Sequence, residues 1–279
     1  MFEKIDDLDL KNKFNNLIQI IKGYKSVLVA FSGGIDSTLL AYLSSKILED
    51  KALAVTINSE SLAQSELKDA INLAKEFAIN HLVINESIVN NPELLKNDIL
   101  RCKYCKKADI TTLRTISKEH NLEYILIGTN SDDINDYRPG IEEAKILGAK
   151  SPFLEAAFKK ADIRKLSCIL GLPNHDKPAS ACLTSRIPYG TEITIEALKT
   201  VEEAEDQLRT LGYKGFRVRH HDKIARIELN PDDFDNFIAN HREKIDNSFK
   251  KLGYNYVCLD LKGYRTGSLN EMAGLSKRH

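Results

Sequence analysis

A chain of 279 residues is long enough to bury a large core and to form two domains. Lys plus Arg and Asp plus Glu each number 40, so the formal charge is +0 and no basic block marks a nucleic-acid binder. No apolar run approaches the roughly 18 residues of a membrane span, the start of the chain is acidic and polar rather than a signal peptide, and five cysteines, an odd number, argue against a disulfide framework. The expectation is a cytoplasmic protein that engages neither nucleic acid nor membrane.

Residues 8–22 carry the spacing of an amphipathic helix. Val27 to Phe31 is a short apolar run bounded by glycine, which fits a strand buried on both faces of a parallel sheet. Ser32-Gly33-Gly34-Ile35-Asp36-Ser37 follows, and from Asp36 to Glu49 the apolar residues Leu39, Leu40, Leu43 and Ile47 fall at helical spacing. A helix start preceded by glycines presents backbone amides and the positive end of the dipole to an anion. Ser32, Gly33, Gly34, Asp36 and Ser37 are therefore candidate phosphate-binding residues. A Walker loop would need Gly-Lys-Ser or Gly-Lys-Thr at this point, and the chain reads Gly-Ile-Asp-Ser. The string instead resembles the PP-loop of ATP pyrophosphatases, which holds the pyrophosphate released when ATP adenylylates a substrate.

Further units alternate: strand 51–57, helix 65–78, strand 81–85, a helical stretch 92–120 broken near Cys102, and a strand 124–127. Such alternation predicts a parallel α/β sheet with ligands at the carboxyl ends of its strands. The last strand runs into Gly128-Thr129-Asn130-Ser131-Asp132-Asp133, which should land beside the glycine turn. Its carboxylates, Asp132 foremost, suit Mg2+ on ATP phosphates; read alone, the segment is equally an Asx-rich turn. Residues 171–194 are irregular and rich in Pro and Gly, hence functional or a linker. Beyond them come helix 194–211, a hairpin of 216–220 and 223–229, helix 232–252 and strand 254–261. The expected domains are 1–190, binding ATP, and 191–279, a smaller α+β domain for substrate or oligomerisation.

Cys102 and Cys105 stand in Arg-Cys-Lys-Tyr-Cys-Lys106, one helical turn apart. Such a pair is a redox couple, two metal ligands or a coincidence. Cys182, inside the irregular segment, strengthens the metal reading, and three thiolates leave one iron of a cluster open to an outside ligand. Cys168 and Cys258 read as buried small hydrophobes. In Phe216-Arg217-Val218-Arg219, strand alternation sends both guanidiniums to one face, about 7 Å apart, where they suit a mononucleotide phosphate or are a solvated face. Glu202 and Glu205 could add a metal site nearby.

Four stretches together resemble one family, the LarE-type ATP-dependent sulfur transferases of the nickel-pincer cofactor pathway: Ser32 to Ser37, Gly128 to Gly140, Asp176 to Gly190 and Asp260 to Asn270. The resemblance implies an α/β fold, a parallel-sheet PP-loop (adenine nucleotide alpha hydrolase-like) domain followed by a smaller α+β domain. It implies adenylylation of a carboxylate of pyridinium dicarboxylate mononucleotide and replacement of an oxygen by sulfur. Some members sacrifice the sulfur of one cysteine, matching Cys182; others carry three cysteines and are thought to relay sulfide from a four-iron four-sulfur (4Fe-4S) cluster. Cys102, Cys105 and Cys182 place this chain with the latter. The resemblance then marks Cys182, Asp36 and Lys106 as catalytic, Gly128, Asp132, Arg217 and Arg219 as binding residues, and ATP, Mg2+ and the cluster as cofactors. Sulfide or another sulfur donor and a homo-oligomeric partner are expected. His175 stands where the family pattern has Trp, so it is expected to pack or to cap a loop.

Other classes remain open from residues alone. A PP-loop tRNA thiolase would want a basic surface, an ammonia- or glutamine-dependent ligase would leave the cysteines without a task, and a nucleotide sensor with structural zinc would release no pyrophosphate.

Overall fold

The computed structural model describes residues 5–135, 139–178, 180–265 and 268–269. These divide into two compact units. The first runs to Glu86 and resumes over Cys102–Ser180; the second comprises Ser87–Arg101 and the chain from Ala181 onward.

The first unit opens with α1 (Leu8–Gly23), which starts where the Asp7 carboxylate accepts the amides of Asp9 and Leu10 and which buries Leu10, Phe14, Leu17 and Ile21 at helical spacing. Next come β1 (Val27–Ala30), α2 (Ile35–Leu48), β2 (Ala52–Asn58), α3 (Gln64–Glu76) and β3 (His81–Asn85). The four-stranded sheet has the order β3-β2-β1-β4, all parallel, with β4 spanning Tyr124–Leu126. Along β1, Val27 and Val29 enter one core with α1 and α2 while Leu28 enters another with Ile110, Leu113 and Ile116, so the strand is covered on both faces as its apolar run requires. Strand order reverses at β1, between β2 and β4, which opens a crevice at the carboxyl ends of β1 and β4.

The predicted 92–120 helix is two: α4 (Pro92–Leu95) and α5 (Arg101–Glu119), the latter starting one residue before Cys102. After β4 the structure adds α6 (Pro139–Ile146), α7 (Pro152–Glu155) and α8 (Lys160–Ile169), three short helices beyond the elements read from the sequence.

The second unit holds α9 (Ile195–Thr210), β5 (Arg217–His221), β6 (Ile224–Glu228), α10 (Phe234–Asn240), α11 (Arg242–Lys251) and β7 (Tyr256–Leu259). β5 and β6 form the expected hairpin, β7 joins β6 in parallel, and Val218, Ala225, Ile227 and Leu229 pack against Ala204, Leu208, Ile245 and Phe249. The 232–252 helix is divided at His241 into α10 and α11.

The division of the chain differs from the boundary expected at 190/191: residues 87–101 and 181–190, expected in the first domain, belong to the second unit. Asn97 is fully buried, and its side-chain amide donates to the carbonyls of Pro188 and Thr191, each at 2.8 Å. Arg101 donates to the carbonyl of Thr184 at 3.0 Å. These long-range bonds bind the irregular segment and residues 87–101 into one body, a link that no local pattern reveals. Among the described residues no helix is long and apolar enough to cross a membrane.

Candidate functional site

In the first unit, the turn between β1 and α2 is built by its own side chains. The Ser37 hydroxyl donates to the Gly34 carbonyl and accepts the Ser32 amide, both at 3.1 Å. Gly34 is the N-cap of α2 and supplies no side chain to its first amides, which are left for an anion. Gly33 has φ of +71°, and a Cβ there would lie 3.0 Å from the Cβ of Ala70 on α3, so glycine is required on both counts.

The loop after β4 reaches the same place, as expected. A Cβ on Gly128 would stand 3.0 Å from Asp36 Cβ and 3.1 Å from the Ser37 amide nitrogen, a contact only glycine permits. Asn130 donates its side-chain amide to Asp36 Oδ1 at 3.2 Å, and Lys160, the first residue of α8, pairs with Asp36 Oδ2. Asp132 accepts the backbone amide of Lys160 at 2.8 Å and Asp133 accepts that of Asn130 at 3.0 Å. The loop is thus an Asx-rich turn and also a neighbour of the glycine turn. Ser32, Gly33, Gly34, Asp36, Ser37, Gly128 and Asp132 come together.

Three contributors were not found by sequence reasoning. Lys160 is one. Asn174 is the second: its buried side chain donates to the Gly33 carbonyl at 3.1 Å and to Thr38 Oγ1 at 3.0 Å. The third is His81, whose Nε2 donates to Thr56 Oγ1 at 2.8 Å while that hydroxyl donates to the Phe31 carbonyl at 2.7 Å, fixing the end of β1; burial pushes His81 below its ordinary pKa. A lone Lys, Asn or His carries no period or motif, and only the Pro-Gly-rich character of 171–194 hinted at Asn174.

Cys102 and Cys105 occupy the start of α5, the former exposed and the latter half-buried. Lys106 beside them pairs with Asp109 at 3.3 Å, and that carboxylate, with smaller help from the two thiols, holds the ammonium above the usual lysine range. His175 caps a turn: its Nδ1 donates to the Leu172 carbonyl at 3.0 Å.

Cys182 belongs to the second unit. It is the N-cap of a 3-10 turn, Leu183–Arg186, exposed, with its sulfur 2.9 Å from Thr184 Oγ1. Arg186 donates to the carbonyls of Ala181 and Cys182 and grips Glu205 with Nε and Nη2, both at 2.8 Å. Arg217 and Arg219 share a face of β5 as alternation predicts, but their fates differ. Arg219 is buried and spends its guanidinium on Glu228 (3.0 and 2.8 Å), the Ser185 carbonyl and Ser268. Its charge is already matched within the protein by Glu228. Arg217 lies over the Tyr264 ring, 5.0 Å from its centroid, and burial, then neighbouring Arg186, push its pKa down. Glu205, which together with Glu202 suggested a metal site, is held by Arg186 and also accepts the Val218 amide at 3.0 Å. Cys168 and Cys258 are exposed rather than buried, against expectation. Among the described residues no group of three or more His, Cys, Asp or Glu is arranged to hold a metal ion. Of the motif stretches, Asp136 to Arg138, Ala179, Thr266, Gly267 and Asn270 lie outside the described residues.

A family model described as NAD synthase matches residues 9–130. The chain is 41% identical over 264 residues to an uncharacterised protein of Synechocystis sp., covering 94% of this chain and 98% of that one. It is 37% identical over 263 residues to the pyridinium-3,5-bisthiocarboxylic acid mononucleotide synthase of Lactiplantibacillus plantarum, covering 94% and 95%. An uncharacterised protein of Methanocaldococcus jannaschii is 34% identical over 258 residues, covering 92% of this chain and 95% of that one.

Proposed function

The chain belongs to the LarE-type ATP-dependent sulfur transferases, and from that premise we propose that it converts a carboxylate of pyridinium dicarboxylate mononucleotide into a thiocarboxylate. The observation that carries this reading is the side-chain-free N-terminus of α2 with Asp36 and Lys160 beside it.

A carboxylate is a poor electrophile because oxide is a poor leaving group. Its oxygen attacks the α-phosphorus of ATP, the bond to pyrophosphate breaks, and an acyl-adenylate forms. The departing pyrophosphate is stabilised by the amides of Gly34 to Ser37 and by the Lys160 ammonium. Asp36 and Asp132 would hold Mg2+, which would supply positive charge to the phosphates, and Lys160, paired with Asp36, adds its own. A sulfur nucleophile then attacks the acyl carbon and AMP leaves. Arg217 is assigned to the mononucleotide phosphate, and Arg219 to holding the Glu228 side of that surface.

Cys102, Cys105 and Cys182 are assigned to a four-iron four-sulfur cluster. Cys102 and Cys105, one helical turn apart on α5, supply two thiolate donors and support the assignment, although among the described residues no three such groups are gathered to hold a metal. Such a cluster, when bound, supplies sulfide at the iron that lacks a protein ligand. Lys106 keeps a positive charge beside the pair. A second reading is favoured by the exposure of Cys182, whose sulfur stands 2.9 Å from Thr184 Oγ1. There Cys182 forms the C–S bond itself, AMP leaves, and loss of the Cα proton breaks its Cβ–Sγ bond to leave dehydroalanine. Sulfide or another sulfur donor and a homo-oligomeric assembly complete the proposal.

The test is pyrophosphate release that depends on added mononucleotide, run on anaerobically purified protein with iron and sulfide counted. Release without mononucleotide dependence overturns the substrate; absence of release overturns the adenylylation.

A further inference from the structure

Lys177 lies in the Asp-Lys-Pro-Ala-Ser-Ala-Cys stretch, five residues before Cys182. Its ammonium is 2.7 Å from Glu66 Oε2 and 2.9 Å from Asp69 Oδ2, both on α3. Ser180 donates its hydroxyl to the other oxygen of Glu66 at 3.1 Å. Arg164 of α8 donates to the carbonyls of His175 and Lys177 at 2.9 and 3.1 Å. The stretch is thus fastened through Lys177 at side chain and backbone, and again at Ser180, two residues from Cys182 and therefore within about 7 Å of it along the chain.

The helix that holds Lys177 is also the helix that touches the glycine turn. Ala70 lies one residue beyond Asp69 and is the residue a Cβ on Gly33 would strike. Glu66 and Asp69 are therefore registered against the phosphate cradle. Partly exposed ion pairs contribute little to stability, and the Lys177 and Glu66 side chains are 21% and 20% exposed. Two carboxylates converging on one ammonium, with a hydroxyl on the same carboxylate, instead specify a position.

Resting on the sulfur-transfer reading above, we propose that Lys177, clamped by Glu66 and Asp69, is a positioning residue for sulfur transfer and not for ATP activation. It sets where the chain that carries Cys182 leaves the first unit. Its ammonium does not touch substrate, and its loss leaves the cradle intact.

The experiment separates the two half-reactions in the full chain. ATP–pyrophosphate exchange with the mononucleotide reads adenylylation, and single-turnover thiocarboxylate formation, followed by mass spectrometry, reads transfer. Lys177→Ala is expected to exchange like the unaltered protein while transfer slows about 10- to 100-fold, the penalty of a small misplacement of a reacting group. Acyl-adenylate accumulates as a result. Lys177→Arg, and the charge swap of Lys177→Glu with Glu66→Lys, should restore transfer. Should Lys177→Ala fold poorly, Glu66→Gln, which keeps the acceptor for Ser180, provides the same split. Unchanged transfer, or equal loss in both half-reactions, overturns the clamp. Absence of exchange in the unaltered protein overturns the functional reading first.

Discussion

Lys160 and Asp36, 124 residues apart in the chain, form an ion pair at the mouth of the glycine turn. The second oxygen of Asp36 accepts from Asn130, so the carboxylate is aimed by two elements, the loop after β4 and the start of α8. On the proposed function, the carboxylate that would hold Mg2+ is thereby held in place beforehand, which lowers the reorganisation required at the reaction.

Lys160→Met should reduce mononucleotide-dependent pyrophosphate release by about 100- to 1000-fold, the scale for removing one donor to developing charge. Thermal stability should change little, because the Lys160 and Asp36 side chains are 30% and 24% exposed. A stopped-flow or coupled pyrophosphate assay checks it; near-normal release would assign Lys160 a structural task.

Gly34→Val should abolish pyrophosphate release with the fold retained, since it adds a branched side chain to the N-cap of α2, with its Cβ 3.4 Å from the Ser32 hydroxyl, and blocks close approach to the backbone. Gly33→Ala acts differently. It strains a left-handed backbone and drives a methyl into Ala70, so a loss of stability of about 1–3 kcal/mol is expected. Denaturant melts and pyrophosphate release measured side by side distinguish the two.

The two arginines of β5 should separate in solution. Arg219→Ala leaves Glu228, which is wholly buried, with only the longer 3.4 Å contact to Arg226 for its charge, and should cost about 3 kcal/mol of stability. Arg217→Ala should retain the fold and weaken mononucleotide binding by about 1.5–3 kcal/mol, the range for hydrogen bonds to charged groups. Calorimetric titration reads the second and urea unfolding the first. The reverse pattern would return Arg219 to the phosphate.

Sulfur source is decided by the mass of the used protein. A sacrificial Cys182 loses hydrogen sulfide, about 34 Da, once per chain, and Cys102→Ala is then almost silent. With a shared cluster, Cys102→Ala, Cys105→Ala and Cys182→Ala each lose iron and activity together, and added sulfide sustains several turnovers with Cys182 intact.

Acid should destabilise the protein partly through His81. Its ordinary value is 6.5 and burial lowers it in the folded state, so the unfolded chain binds the proton more readily. Stability from this group is whole above pH of about 6.5 and falls as pH drops toward the depressed native value. His81→Gln should flatten the melting-temperature profile between about pH 5 and 7, leaving the slopes of His220 and His221, which burial also lowers.

What the residues determined alone is whatever repeats at short range. The apolar run of β1, the helical spacing of Leu39, Leu40, Leu43 and Ile47, and the strand alternation of Ala225, Ile227 and Leu229 are local consequences of backbone geometry, and all are buried as their periods require, Ile47 partly. The glycine turn was legible for the same reason, since two glycines before a helix have a backbone meaning in any context. Tertiary structure decided which charges meet. Alternation placed Arg217 and Arg219 on one face, but only the antiparallel pairing of β5 with β6 set Glu228 within reach of Arg219 and cancelled its charge. Lys160 with Asp36, Asn174 with Gly33 and Lys177 with Glu66 are each more than 100 residues apart. A single polar side chain has no period, so its partner is chosen by the packing of α3 and α8 around the sheet and by nothing in its neighbours along the chain.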